Sequence, residues 1–304
     1  MNLGSPDDGA TPAPATWGAA LRWAVRTLAE SGATQTPDLD AAVLLGQVTG
    51  APRATLLAYP ERPLTDAASE AFTGLVRRRL AGEPVAYLTG HKEFMGLDFL
   101  TDARALIPRP ETEHLVEAAL ATARARLDRG ETPVVADIGT GSGAIALAIA
   151  ALEPRLPRVY ATDLSAGALA LAAENATRLN VATRVTLLEG DLLEPLPEPV
   201  DLLLANLPYV APREAGLLPP DVRRYEPELA LYGAEDGLGH FRRLFATAPG
   251  HLRPGAAVFL EFGYDQRQAL EDLARASFPG ARLRVVADYA GWDRLLLIET
   301  DPAA

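Results

Sequence analysis

Val134-Val135-Ala136-Asp137-Ile138-Gly139-Thr140-Gly141-Ser142-Gly143-Ala144 is the stretch that decides the fold. A short apolar, β-branched run reads as a buried strand, and three glycines at alternate positions end it. Ala144 to Leu152, built only of Ala, Ile and Leu, then reads as a buried helix. Strand, glycine turn and helix in that order open a β–α–β unit. Glycine lets the backbone pass close to a ligand, and the free N–H groups of a helix N-terminus attract an anion. That anion is a pyrophosphate in a dinucleotide enzyme and an amino-acid carboxylate in other folds. Gly139-x-Gly141-x-x-Ala144 fits the dinucleotide pattern, and Asp163 lies 24 residues after Gly139, where a ribose-binding acid is expected. The stretch alone leaves the two ligands open.

Outward from it, the alternation continues. Val159 to Thr162 is a second strand, ending at Asp163, and Ser165 caps a helix that reaches Leu179. Val185 to Leu188 and Asp201 to Ala205 are the third and fourth strands. A long loop spans residues 207–235, and Ala256 to Phe262 is strand five. Leu283 to Ala287 and Arg294 to Ile298 are joined by a short turn through Gly291. Strands that close in sequence form a hairpin, so the last one runs antiparallel to its partner. The expected fold is therefore α/β: a Rossmann-like sheet, mostly parallel with its last strand antiparallel. A dinucleotide-binding sheet is parallel in both halves.

The rest of the chain is organised differently. Residues 1–16, rich in Pro, Ala, Gly and Asp, read as a disordered tail with no signal-peptide pattern. Residues 17–82 read as a small helical domain suited to docking. Leu21, Val25 and Leu28 share one face, Asp38 or Asp40 caps a second helix, and Thr65 begins another. Residues 83–107 read as a β-hairpin linker. Pro108-Arg109-Pro110-Glu111-Thr112-Glu113 then opens a helix, with acids in the first turn, and the domain from 108 to 304 carries the site.

Composition narrows the chemistry. The 304 residues contain no cysteine, which excludes disulfides, thiolate nucleophiles and Cys-based metal sites. Four scattered histidines (His91, His114, His240, His251) give no metal-ligand spacing, so no metal is expected. A net charge of −12 disfavours binding to phosphate backbones, so no direct nucleic-acid contact is expected. No apolar run is long enough to span a membrane, and the expected location is the cytoplasm.

The choice of ligand falls to Asn206-Leu207-Pro208-Tyr209, directly after the fourth strand. Open α/β sheets bind ligands at the carboxyl ends of their strands. A planar NH2 group is a poor nucleophile because its lone pair is delocalised. The Asn206 side-chain oxygen and the Leu207 carbonyl offer two acceptors for its two hydrogens, which positions the nitrogen and stabilises developing positive charge. Pro208 stiffens the turn, and the Tyr209 ring can stack on a flat amide. The pattern points to methyl transfer onto an amide-type nitrogen. At the other strand ends, Asp163 is placed for ribose hydroxyls and Asp191 for an adenine.

Taken together, these motifs resemble the protein-(glutamine N5) methyltransferases that modify class I peptide chain release factors. The resemblance runs through Leu106 to Glu113, Asp137 to Gly143, Asn206 to Tyr209, Tyr225-Glu226-Pro227 with Ala230-Leu231, and Asp288-Tyr289-Ala290-Gly291 before Asp293-Arg294. It implies S-adenosylmethionine as cofactor, held by Gly139, Thr140, Gly141, Ser142, Gly143, Asp163, Asp191, Leu192 and Asn206. It also implies that Asn206, Leu207, Pro208 and Tyr209 hold the substrate glutamine of a Gly-Gly-Gln sequence. Phe94 lines one of the two pockets or packs the hairpin core. One departure stands out: the family's usual motif is Asn-Pro-Pro-Tyr, and Leu207 takes the second position. Leucine keeps the acceptor carbonyl, loses the fixed φ and adds an N–H that needs a partner. Competing readings are a glutamine methyltransferase of a ribosomal protein, a nucleic-acid adenine or cytosine amino-methyltransferase, a cofactor-binding scaffold without catalysis, and a nicotinamide oxidoreductase.

Overall fold

The computed structural model describes residues 15–301. The expectation of a disordered tail therefore lies outside the described residues, apart from Ala15 and Thr16. Those two are part of the fold: Thr16 Oγ1 accepts the Ala19 N–H at 3.3 Å and caps the first helix. The chain divides into two compact units, one ending at Thr89 and one beginning at Gly90.

The first unit is helical. It comprises α1 (Trp17–Ser31), α2 (Pro37–Thr49), α3 (Arg53–Ala58), α4 (Asp66–Leu80) and α5 (Val85–Thr89). In α1 the buried stripe is Leu21, Ala24 and Leu28; Val25 is only half-buried. Neither Asp38 nor Asp40 caps α2. Thr36 is the cap position and Pro37 the first helical residue, while both acids sit in the first turn. Asp40 is committed elsewhere: it accepts from Thr36 Oγ1 at 3.0 Å and from buried Arg79 at 2.8 Å. Thr65 caps α4 as expected, accepting the Ala68 N–H. The hairpin is shorter than the expected 83–107, because Val85–Thr89 winds into a helical turn that belongs to this first unit.

The second unit opens with the hairpin β1 (His91–Phe94) and β2 (Leu97–Leu100). A 3-10 turn, Pro110–Thr112, leads into α6 (Glu113–Asp128). Then follow β3 (Val135–Ile138), α7 (Ala144–Leu152), β4 (Val159–Asp163), α8 (Ala166–Arg178), β5 (Val185–Glu189) and β6 (Val200–Ala205). After α9 (Pro220–Tyr225) and α10 (Gly239–Thr247) come β7 (Leu252–Glu261), α11 (Arg267–Ser277), β8 (Arg282–Ala287) and β9 (Asp293–Glu299). The seven-stranded sheet has the order β5-β4-β3-β6-β7-β9-β8. Every pairing from β5 to β7 is parallel, and β9 is antiparallel to both β7 and β8. The last strand is thus the one reversed strand, inserted between β7 and β8.

Successive residues of each central strand feed opposite faces of the sheet. Leu202, Leu204, Phe259 and Leu297 join α6 and α7 in one core; Leu203, Ala205, Val258 and Leu296 join α10 and α11 in the other. Burial on both faces explains the unbroken apolar runs of β6 and β9. The segment 207–235 is not one open loop. It carries two 3-10 turns, Pro212–Leu217 and Glu228–Ala230, with α9 between them.

Candidate active site

The ends of β3, β4, β5 and β6 converge on one cleft. Gly139, Gly141 and Gly143 have φ of +71°, +57° and +84°, a left-handed region that only glycine enters without strain. The loop is anchored from beneath by two bonds, Gly139 N–H and Thr140 N–H to the Thr162 carbonyl, both 2.9 Å. Asp137 caps it from below: it accepts the Thr140 hydroxyl at 2.6 Å and the Ala146 N–H at 3.2 Å. Burial drives the Asp137 carboxyl up to about 7, against the pull of those two donors. Asp163, at the tip of β4, receives the Gly141 N–H and the Ser165 N–H, each 2.8 Å, while Ser165 itself caps α8. Burial raises the Asp163 carboxyl despite these bonds.

Gly139, Thr140, Gly141, Ser142, Asp163, Asp191, Leu192 and Asn206 all line a first pocket. Gly143 does not; its role is steric, since a Cβ there would come within 2.7 Å of Leu147 Cδ1. Asp191 is ion-paired to Arg243, which also lines the pocket. Leu192 holds φ +49°, and its carbonyl accepts the Thr162 hydroxyl at 2.9 Å. Phe94 forms part of this pocket's wall, yet is 1% exposed and packs edge-on against Phe99 at 6.1 Å. It does not line the neighbouring pocket described next.

That second pocket is bounded by Tyr209, Glu111, Glu261, Arg294 and the 218–222 segment. Asn206, Leu207 and Pro208 line both pockets and so form their common wall, together with Leu106, Arg109 and Ala230. Asn206 Nδ2 donates to Thr112 Oγ1 at 3.1 Å, and the Thr112 hydroxyl donates to Glu261 Oε2 at 2.7 Å. This turns Asn206 Oδ1 away from Thr112. Among the described residues, neither Asn206 Oδ1 nor the Leu207 carbonyl receives a hydrogen bond. Leu207 is 3% exposed, and a Cβ on Gly139 would lie 3.0 Å from its Cδ2, so leucine packs the motif directly onto the glycine loop.

Tyr209 is held from two sides. Its carbonyl accepts Gln266 Nε2 at 2.9 Å, and its hydroxyl faces Glu261 Oε1 at 3.5 Å. Burial, reinforced by the Glu261 charge, pushes the Tyr209 hydroxyl up, so it remains a donor. Burial pushes Glu261 up to about 7, opposed by the Thr112 hydroxyl and Arg294. The returning chain also clasps the motif. A Cβ on Gly233 would lie 2.3 Å from the Pro208 carbonyl oxygen, and one on Gly237 2.2 Å from that of Tyr209.

Several residues that shape the site were not read as site residues in the sequence. Glu261 is one, and Thr112, inside the quoted Leu106–Glu113 stretch, is another. Buried Asn175, inside α8, bonds both the N–H and the carbonyl of Leu100 and donates to the Ser142 carbonyl at 3.0 Å. It ties the hairpin to the glycine loop. Glu226 belongs to a quoted motif, and its place is now visible: 4% exposed, it accepts the Ile107 N–H at 3.1 Å and pairs with Arg109. Among the described residues no group of three or more His, Cys, Asp or Glu is arranged to hold a metal, and no helix is long and apolar enough to cross a membrane.

Comparison with known proteins gives the family. Residues 19–90 match the family model described as the PrmC N-terminal domain, and residues 117–217 match the methyltransferase small domain. A release factor glutamine methyltransferase of Moorella thermoacetica is 50% identical over 279 residues, 91% of this chain and 96% of its own length. One from Bordetella pertussis is 46% identical over 264 residues, covering 85% and 93%. Among solved structures, the hMettl16 catalytic domain in complex with MAT2A 3'UTR hairpin 6 aligns with a TM-score of 0.53 at 15% identity, over 78% of this chain and 82% of that one, a likeness of fold. Two matched domains and near full-length identity of this order place the chain in the release factor glutamine methyltransferase family.

Proposed function

We propose that this chain methylates the side-chain nitrogen of a glutamine, within a Gly-Gly-Gln sequence of a class I peptide chain release factor, using S-adenosylmethionine. The observation that carries the reading is the common wall: Asn206, Leu207 and Pro208 stand between two pockets with two unengaged acceptors. The first pocket suits the cofactor. Its floor is a left-handed glycine turn at a helix N-terminus, its rim holds the Asp163 carboxylate, and Leu192, Leu164 and Ile107 supply apolar surface. Gly139, Thr140, Gly141, Ser142, Asp163, Asp191 and Leu192 are the residues that would hold it, with Gly143 shaping the turn. When bound, S-adenosylmethionine supplies an electrophilic methyl group on a sulfonium.

The chain's own residues do the rest. Asn206 Oδ1 and the Leu207 carbonyl accept the two hydrogens of the glutamine NH2, which fixes the nitrogen and favours the positive charge that builds on it. Tyr209, with its hydroxyl kept protonated, bounds the second pocket and offers a flat face to the amide. Pro208 stiffens the turn between them. Alignment of the two partners is the main contribution, because a sulfonium methyl needs no further activation. The held nitrogen would take the methyl as the S–CH3 bond breaks, with the thioether leaving on that bond's electron pair, and the amide would then lose one of its two protons to water. Leu207 in place of proline retains the acceptor carbonyl, and the turn is held by packing on Gly139 and by the Gly233–Gly237 clasp. A translation factor as substrate puts the reaction in the cytoplasm.

Purified protein, release factor and S-adenosylmethionine carrying a labelled methyl group provide the test, read by peptide mass spectrometry. One methyl on the Gly-Gly-Gln glutamine is the expected result. Label in DNA or in a ribosomal protein, with none in the release factor, would defeat the proposal.

A further inference from the structure

We infer that Thr112 and Glu261 are positioning residues which fix the edge of the Asn206 amide that faces the substrate. The inference rests on the glutamine reading above. An asparagine amide has two ends of nearly equal size, one an acceptor and one a donor. Only the oxygen end can receive a hydrogen from a planar NH2; the nitrogen end would set donor against donor. Something must choose between them.

The direct neighbour of Asn206 cannot choose. Thr112 Oγ1, 3.1 Å from Asn206 Nδ2, is a hydroxyl that can donate or accept. The choice is made one step further back. The single hydroxyl hydrogen of Thr112 goes to Glu261 Oε2 at 2.7 Å, and an ionised carboxylate can only accept. With its hydrogen spent, Thr112 has only lone pairs left to offer Asn206. Asn206 must then turn its NH2 inward and its oxygen outward. With Glu261 ionised, the chain Glu261–Thr112–Asn206 therefore runs in one sense only.

Burial keeps it so. Thr112 is 4% exposed and Glu261 2%, so bulk water does not compete for these bonds. The three residues come from three places: the tip of β7, the turn before α6 and the tip of β6. Burial pushes the Glu261 carboxyl up to about 7, while Thr112, Arg294 from β9 and Tyr209 favour its charged form, so the one-way sense is complete where the carboxyl is ionised, above about pH 7. Thr112 and Glu261 act through Asn206 rather than on the substrate.

The test is steady-state methylation of intact release factor by the full chain at about pH 8, where Glu261, held up to about 7, is mostly ionised. Thr112→Val keeps the shape and removes the relay; kcat/KM is expected to fall about tenfold, the scale of one buried hydrogen bond left unmade. Thr112→Ser keeps the hydroxyl and is expected to stay within twofold of wild type. Glu261→Gln can present either end to Thr112, so a loss of about threefold or more is expected. The double variant Thr112→Val with Glu261→Gln should be no slower than Thr112→Val alone, because both act through one chain. Melting temperatures exclude loss of fold, and if Thr112→Val does not fold, the Thr112→Ser and Glu261→Gln pair decides. Thr112→Val within twofold of wild type, Thr112→Ser as impaired as Thr112→Val, or fully multiplicative losses in the double variant would each overturn the inference. Wild-type protein that leaves the glutamine unmethylated removes the functional reading and this inference with it; active wild type with an indifferent Thr112→Val removes this inference alone.

Discussion

Replacing Gly141 by alanine separates ligand binding from folding. Gly141 sits at φ +57°, in the left-handed region, where a side chain costs roughly 1–2 kcal/mol. Space is not the obstacle: a Cβ there meets nothing nearer than Ala105 Cβ, at an ordinary 3.8 Å. The fold therefore accommodates the methyl group with that backbone cost alone. In a unit of this size each kcal/mol lowers Tm by about 2–4 °C, so a fall of about 2–8 °C is expected. Binding is another matter. Gly141 and Ala105 both line the first pocket, and the Gly141 N–H braces Asp163 at 2.8 Å. A methyl group between them narrows the floor on which the cofactor would lie. Affinity for S-adenosylmethionine should drop at least about tenfold, or ~1.4 kcal/mol. Calorimetric titration and a thermal melt on the same sample read both quantities. Gly143→Ala is the contrast: its Cβ would meet Leu147 at 2.7 Å and Ala172 at 3.2 Å, so the melt should suffer more. Wild-type affinity in Gly141→Ala, with the modest Tm fall still present, would refute the placement of the cofactor on this loop.

Three further outcomes follow from the geometry. Gly237→Ala, at φ +75° and 2.2 Å from the Tyr209 carbonyl oxygen, should displace the Asn206–Tyr209 turn; methyl transfer should fall at least about a hundredfold, with S-adenosylmethionine affinity nearer to wild type. Glu226→Ala strands the buried Ile107 N–H and the Arg109 guanidinium, and chemical denaturation should show a loss of about 3–5 kcal/mol. Asp137 and Glu261 are both held up to about 7, above the ordinary carboxyl values of 3.8 and 4.5. Between roughly pH 4 and 7 the folded state keeps protons that the unfolded chain has released, so their contribution to stability is lost as pH rises through that window and is flat above it. Asp137→Asn should shrink the Tm difference between about pH 5 and pH 8, and an unchanged difference would contradict the assignment.

Much of the sheet was readable because its signals are local. The run Val134–Ile138, the alternating glycines and the apolar helix behind them lie within 20 residues, and Ser165 caps the helix that its position suggests. The reversed last strand was legible from the short turn through Gly291 alone. The motif after β6 could also be read as two acceptors, since that needs only the residue types. What could not be read is what holds those acceptors. Thr112 meets Asn206 across 94 positions and Glu261 across 149. A threonine before a helix looks like a cap, and a glutamate ending a strand looks like solvent-facing polarity; only the fold reveals both as buried. Gly233 and Gly237 are of the same kind, ordinary loop glycines until the returning chain is seen against Pro208 and Tyr209. Local misreadings had local causes. Asp40 looked like a cap because it precedes an apolar run, but Arg79 in α4 claims its carboxylate. Val85–Thr89 looked extended because Val85, Tyr87 and Thr89 favour strands, yet Ala86 and Leu88 favour helix and a single helical turn forms there.

The central claim is that Asn206, at the wall between the two pockets, grips the substrate nitrogen. The most direct measurement is the rate of methyl incorporation into the release factor glutamine by Asn206→Ala against wild type, with saturating S-adenosylmethionine and both proteins shown to be folded. The account predicts single methylation by wild type and a loss of at least about a hundredfold in the variant, the scale of removing one preorganised group at the reacting centre. A variant that methylates the same glutamine at the wild-type rate would contradict it.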